Sequence, residues 1–155
     1  MTLSKAEREA LRMMFGGRCA YCGCELGTKW HADHVSPIER ECTYVPGKWD
    51  GKLFSGNYTP GHFEQTGECR HPENDIFENM FPACVRCNIL KSNADLEGFR
   101  AMLGYFARSI PEIPGYSHVH HLMRFAKLTI DPTPVVFWFE KWRAEHSPIR
   151  TQDAL

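Results

Sequence analysis

The chain has 155 residues, of which 43% are hydrophobic and 24% charged, and it carries a formal net charge of −1. That is the make-up of one ordinary globular domain, able to bury roughly 70% of its unfolded surface. It is neither a disordered chain nor one that attracts nucleic acid through bulk charge. The longest apolar run, Val135 to Phe139, is far too short to cross a bilayer, so no membrane partner is expected.

The first residues, Met1 to Lys5, lead into a polar helix pattern without a signal-peptide core. The expectation is therefore a reducing cytoplasm, where Cys-x-x-Cys favours metal over disulfide. Seven cysteines, an odd number, also argue against a complete disulfide framework. Ser4-Lys5-Ala6-Glu7 reads as a capping box, with Leu11, Met14 and Phe15 following at helical spacing. Gly16-Gly17 stops that helix. Arg18 to Cys24 is a tight metal knuckle in which Gly23 allows the turn, and Trp30 to Val35 is a short strand stopped by Pro37.

Residues 41–76 are the least regular stretch and read as a long insertion with a hairpin of its own. Its aromatics, Tyr44, Trp49, Phe54, Tyr58 and Phe63, are expected to anchor it to the core. Phe81-Pro82-Ala83 leads into a second knuckle, and Val85 to Lys91 opens a helix with Asn88 and Lys91 on neighbouring faces. Ser92 to Asp95 caps a helix from about Ala94 to Arg108, and another spans about Ser117 to Ala126. Thr133-Pro134 is expected to open a last helix through about Glu145, with Val135, Trp138, Phe139 and Trp142 as its packing stripe. Charge is uneven: residues 35–78 carry four basic and eight acidic side chains, and residues 79–128 carry six basic and three acidic. A phosphate-binding surface would therefore sit in the second half.

Two matched Cys-x-x-Cys pairs, Cys19/Cys22 and Cys84/Cys87, supply the four thiolates of a closed tetrahedral site, predicting one structural Zn²⁺ per chain. Their separation of about sixty residues is no obstacle, because loop-closure entropy rises only logarithmically with length. Cys24 is read as a bystander. Near the knuckles stand Asp33, His34, Asn79 and Asn88, a set that supplies oxygen ligands, a base and a base-orienter. An imidazole, with an ordinary pKa near ~6.5, can take a proton from water at cytosolic pH. Strict strand alternation would put Asp33 and His34 on opposite faces unless the strand ends there, and His31 is read as a surface or packing histidine. Lys91 and Arg86 are candidate phosphate contacts. Cys42, His62, Cys69 and His71 are too irregularly spaced to argue for another metal site.

The segments Cys19-Ala20-Tyr21-Cys22-Gly23, His31-Ala32-Asp33-His34-Val35 and Asn79 through Asn88 occur in that order and together resemble the HNH endonucleases, the ββα-metal or His-Me finger group. The remaining chain resembles small phage-encoded members, which would place the protein in a host bacterial cytoplasm. The resemblance implies an α+β fold: a small ββα-metal core over about residues 11–93, stapled by the four-cysteine zinc site. The insertion at 41–76 interrupts that core, and N- and C-terminal helices wrap it, the extension covering about 94–155 of a single domain, 1–155. It further implies that His34 is the general base and that Asn79 orients it. Asp33 and Asn88 would hold a catalytic divalent metal. Asn88 stands where the family's name calls for a final His; one carboxylate and one amide are hard ligands that favour Mg²⁺ or Mn²⁺. The expected partner is DNA, cut to 5′-phosphate and 3′-hydroxyl ends by a monomer or homodimer. Two other readings stay open: a zinc-ribbon adaptor that binds DNA or protein without catalysis, and a junction-resolving nuclease with the same chemistry.

Overall fold

In the computed structural model, which describes residues 2–51 and 58–147, the chain is mixed α+β, with small two-stranded sheets and five α-helices. Helix α1 (Lys5–Met13) begins at the capping box: Glu7 N donates to Ser4 Oγ at 3.3 Å, and Ser4 N donates to Glu7 Oε2 at 2.8 Å. It ends before Gly16 and Gly17, both at positive φ. A Cβ on Gly16 would also lie 2.7 Å from the Trp142 indole, so the turn and the close approach both demand glycine.

Strand β1 (Trp30–His34) runs antiparallel to a later strand at Met80–Cys84, with Trp30 opposite Cys84 and His34 opposite Met80. Between them comes the insertion. Its strands β2 (Arg40–Val45) and β5 (His62–Cys69) form an antiparallel ribbon, extended by β3 (Lys48–Trp49) against β4 (Tyr58–Thr59). The hairpin was expected, but its aromatics do not anchor it to the core. Tyr44, Trp49, Tyr58 and Phe63 are 54% to 70% exposed, because no second layer covers the ribbon. Tyr44 and Phe63 meet each other instead, ring centroids 5.3 Å apart, and Phe54 lies outside the described residues.

The Met80–Cys84 strand, β6, passes straight into helix α2 (Val85–Lys91). Helix α3 (Leu96–Ser109) follows, capped by Asp95 Oδ1 accepting from Gly98 N at 2.6 Å. Helix α4 (Ser117–Arg124) and helix α5 (Trp138–His146) complete the chain. Helix α5 starts later than Thr133-Pro134 implied. Its first two N–H groups, which no helix can satisfy internally, donate to knuckle carbonyls: Trp138 N to Tyr21 O at 3.0 Å and Phe139 N to Ala20 O at 2.8 Å. A start at Pro134 would forfeit those bonds. The segment before α5 stays non-helical and lays Phe137 into the core, stacked on Phe99 at 5.5 Å.

That core is largely aromatic. Phe15, Phe81 and Phe139 meet at 4.9 to 6.2 Å, and Tyr21 packs edge-on to Phe99 at 5.5 Å. Arg100 ties α3 to α5: it donates to Glu140 at 2.7 Å, and its guanidinium lies 4.6 Å from the Phe137 ring centroid. The first knuckle, the β1–β6 pair and α5 thus share one hydrophobic support. No helix among the described residues is long and apolar enough to cross a membrane.

Candidate metal centre and active site

The first knuckle closes on itself, with Gly23 N donating to Cys19 O at 3.0 Å and Cys19 N to Cys24 O at 2.8 Å. It is fastened to β6 by Ala20 N donating to Pro82 O at 2.8 Å. Pro82 lies two residues before Cys84, so this bond brings the two Cys pairs together. The sulfurs of Cys19, Cys22, Cys84 and Cys87 all lie within 4.8 Å of one another, with Cys22 and Cys84 3.9 Å apart. Four sulfurs around Zn²⁺ at ~2.3 Å stand about 3.8 Å from each other, so the donor set fits a tetrahedral ion. A hydrogen bond from Cys87 holds the Cys19 thiol down, to about 4, and the same contact pushes the Cys87 thiol up. Without a cation, thiols this close cannot all ionise; a bound metal removes that conflict. Among the described residues this is the group able to hold a metal such as zinc. Cys24 lies outside it. Cys42, His62, Cys69 and His71 are not gathered: Cys42 faces Gln65 and Cys69 faces Arg40 across the ladder, while His62 and His71 pair with Glu64 and Glu73.

At the far end of β1, Asp33 and His34 line one cleft of about 310 Å³ together with Pro37, Ile38, Glu39, Arg40, Ser92 and Asn93. Both residues lie within β1, with Asp33 turned to Tyr21 and Lys91 and His34 to Asp75, yet both line this cleft at the strand's last paired positions. His31 is exposed on the same strand. Asp33 is buried, and its Oδ2 accepts a short hydrogen bond from the Tyr21 hydroxyl and lies 3.2 Å from Lys91 Nζ. Burial raises the Asp33 carboxyl above the ordinary range, against the pull of Tyr21 and Lys91. Burial, with Asp33 beside it, likewise pushes the Tyr21 hydroxyl up. Asp33 Oδ1 has no hydrogen-bond partner among the described residues, yet it is not among the buried atoms left unsatisfied. Of the two carboxylate oxygens it is the one that Tyr21 and Lys91 leave unengaged.

Lys91 corrects the expectation of a phosphate contact. Its side chain is 0% exposed and donates to His34 O at 2.7 Å, besides pairing with Asp33. The turn of α2 that carries it faces inward, so the ammonium pins the end of β1 to the helix. Lys91→Met is expected to destabilise the fold by about 3–5 kcal/mol, because it leaves the Asp33 charge buried and unpaired. Lys91→Met combined with Asp33→Asn should recover much of the loss, as urea melts of the two variants would register. A single variant as stable as wild type would mean the pair contributes nothing.

Asn79 requires a second correction, since it does not touch the His34 ring. Its Oδ1 accepts from Ser36 N at 3.0 Å, and its Nδ2 donates to Ser36 O and Asn74 O, both at 2.8 Å. Asn79 therefore shapes the loop leaving β1, acting on His34 through the backbone. The ring itself meets Asp75, whose Oδ1 is 2.9 Å from His34 Nε2. A carboxylate can only accept, which keeps the proton on Nε2 and leaves Nδ1 as the basic nitrogen. Asp75 escaped the sequence reading because it sits 41 residues from His34, at the end of a 3₁₀ turn over Pro72–Asn74 inside the insertion. Asn88 is half-buried on α2, and its side chain has no hydrogen-bond partner among the described residues. Arg86 is exposed on the same helix.

Compared with known proteins, the chain matches no family model, no curated protein and no solved structure.

Proposed function

We propose that the chain is a metal-dependent DNA endonuclease of the HNH type, with β1, β6 and α2 as its ββα-metal core. The observation that carries this reading is the order and placement of the parts. Two antiparallel strands run into a helix, four close cysteines gather at one end of the pair, and Asp33 and His34 share a cleft at the other. A binding module needs the first two features, but not an imidazole held by a carboxylate at a cleft wall.

In this reading His34 Nδ1 takes a proton from water, and Asp75 holds the ring in the tautomer that leaves Nδ1 free. Asn79 fixes the loop that follows His34 at the end of β1. Asp33, through its free oxygen, and Asn88, through its amide, are the residues that would hold Mg²⁺ or Mn²⁺. Such an ion supplies Lewis-acid stabilisation to the phosphate and the leaving oxygen. Arg86 remains available for a backbone contact with DNA.

One observation favours the non-catalytic adaptor: half of the Asp33 carboxylate is already engaged by Lys91 and Tyr21. Incubation of the purified chain with supercoiled plasmid, in Mg²⁺, Mn²⁺ or no added divalent ion, separates the two. Nicked or linear product that needs the divalent ion supports the nuclease. DNA binding without any product under every condition supports the adaptor.

A further inference from the structure

We infer that the cleft beside His34 continues beneath the insertion arm as a strand-binding groove, and that Arg40 is its phosphate-binding residue. The inference rests on the proposal that the site acts on DNA. The cleft of about 310 Å³ adjoins a second cavity of about 570 Å³, and the two share Glu39, Arg40, Ser92 and Asn93 as lining. Together they form one trough that starts at His34 and ends at Arg70, with the arm's root on one wall and the α2–α3 turn on the other.

The cations near this trough are not equivalent. Lys91 is sealed under Asp33, and Arg70 is drawn to Glu41 at 3.4 Å and Glu39 at 4.0 Å. Arg40 is exposed, and among the described residues its guanidinium has neither a carboxylate nor a hydrogen-bond partner. A guanidinium presents a planar fork that matches two phosphate oxygens at once, so an unpaired one on a cleft wall suits a phosphodiester.

The backbone around Arg40 is unusual on both walls. Glu39 and Ser92 adopt φ of 39° and 51°, a region non-glycine residues seldom occupy. The β2–β5 register also slips between Arg40 and Cys42. Such bulges re-aim a side chain and are over-represented beside active sites. Strained residues likewise gather at functional sites, where the surrounding structure holds them in place. Glu39 and Glu41 offset the two arginines, and Asp33 is offset only by the buried Lys91 behind it, so the trough has no positive excess. It would therefore seat a phosphate at one point rather than draw DNA through a broad field.

The test uses full-length chain carrying His34→Ala, so that a fluorescently labelled duplex stays intact, with anisotropy measured over a range of salt. Adding Arg40→Ala is expected to weaken binding about tenfold and to lower the slope of log affinity against log salt by about one. Arg40→Lys should restore the slope but not the full affinity, since an ammonium cannot make the two-oxygen contact. Lys48→Ala, an exposed charge further along the arm, should leave both unchanged. In chain with His34 intact, Arg40→Ala should raise KM more than it lowers kcat. An unchanged slope with Arg40→Ala, or an equal loss with Lys48→Ala, would overturn the groove while leaving the nuclease proposal standing. Failure of wild type to bind or cut DNA at all would remove the nuclease proposal, and the groove with it.

Discussion

Cys84→Ser is expected to lower bound zinc from about one ion per chain and to lower the yield of folded protein with it. The serine hydroxyl is not ionised near neutral pH and is a poor partner for a borderline-soft ion, so a four-thiolate shell becomes an open three-thiolate one. The position isolates this effect well. Cys84 is also the N-cap of α2, accepting from Cys87 N at 3.5 Å, and serine is among the best N-caps. The helix start is thus preserved, and the loss is attributable to the metal. The consequences should spread because Ala20 and Tyr21, inside the first knuckle, supply the carbonyls that cap α5. Loosening the knuckle therefore releases the C-terminal helix and the lining of Phe137 and Phe139. Zinc content by elemental analysis and near-ultraviolet circular dichroism, which reports the aromatic core, measure both halves. Soluble, fully folded, zinc-free Cys84→Ser protein would remove the staple from the account.

What could be read in the sequence was what depends on near neighbours. The Ser4–Glu7 box, the stop at Gly16-Gly17, the two knuckles, the short strand ending near Pro37 and the helix at Val85–Lys91 all follow from residues within a few positions of each other. What escaped depends on contacts across the fold. Lys91 reads as a surface lysine three residues after Asn88, and only the docking of α2 against β1 makes it the partner of Asp33. Asp75 has no local signature linking it to His34. Thr133-Pro134 has every local mark of a helix start, yet the N–H groups of Trp138 and Phe139 find better partners in the knuckle. The insertion's aromatics failed for a related reason. Apolar residues predict burial only where another layer exists to cover them, and this ribbon stands apart from the core.

His34→Ala is expected to cut the rate of DNA cleavage by roughly 10²–10⁴-fold, the usual span for losing a positioned general base. DNA affinity should barely change, because phosphate contacts from arginine and lysine dominate it. Fold stability should also hold, since the ring lies at a cleft wall and the buried bond from Lys91 goes to the His34 backbone carbonyl, which alanine retains. Neighbouring substitutions should grade with their distance from the proton. Asp75→Asn keeps the size but adds a donor, so the amide can favour the tautomer with its lone pair on Nε2 and misplace the basic nitrogen. Its loss should fall between those of His34→Ala and Asn79→Ala, the latter acting only through the loop backbone. Single-turnover cleavage with saturating enzyme reads the chemical step apart from binding. Equal cleavage by wild type and His34→Ala would assign any activity to another site or a contaminant. The four-cysteine cluster would then be the staple of a DNA-binding adaptor, and the Asp33–Lys91 pair a buried strut within it.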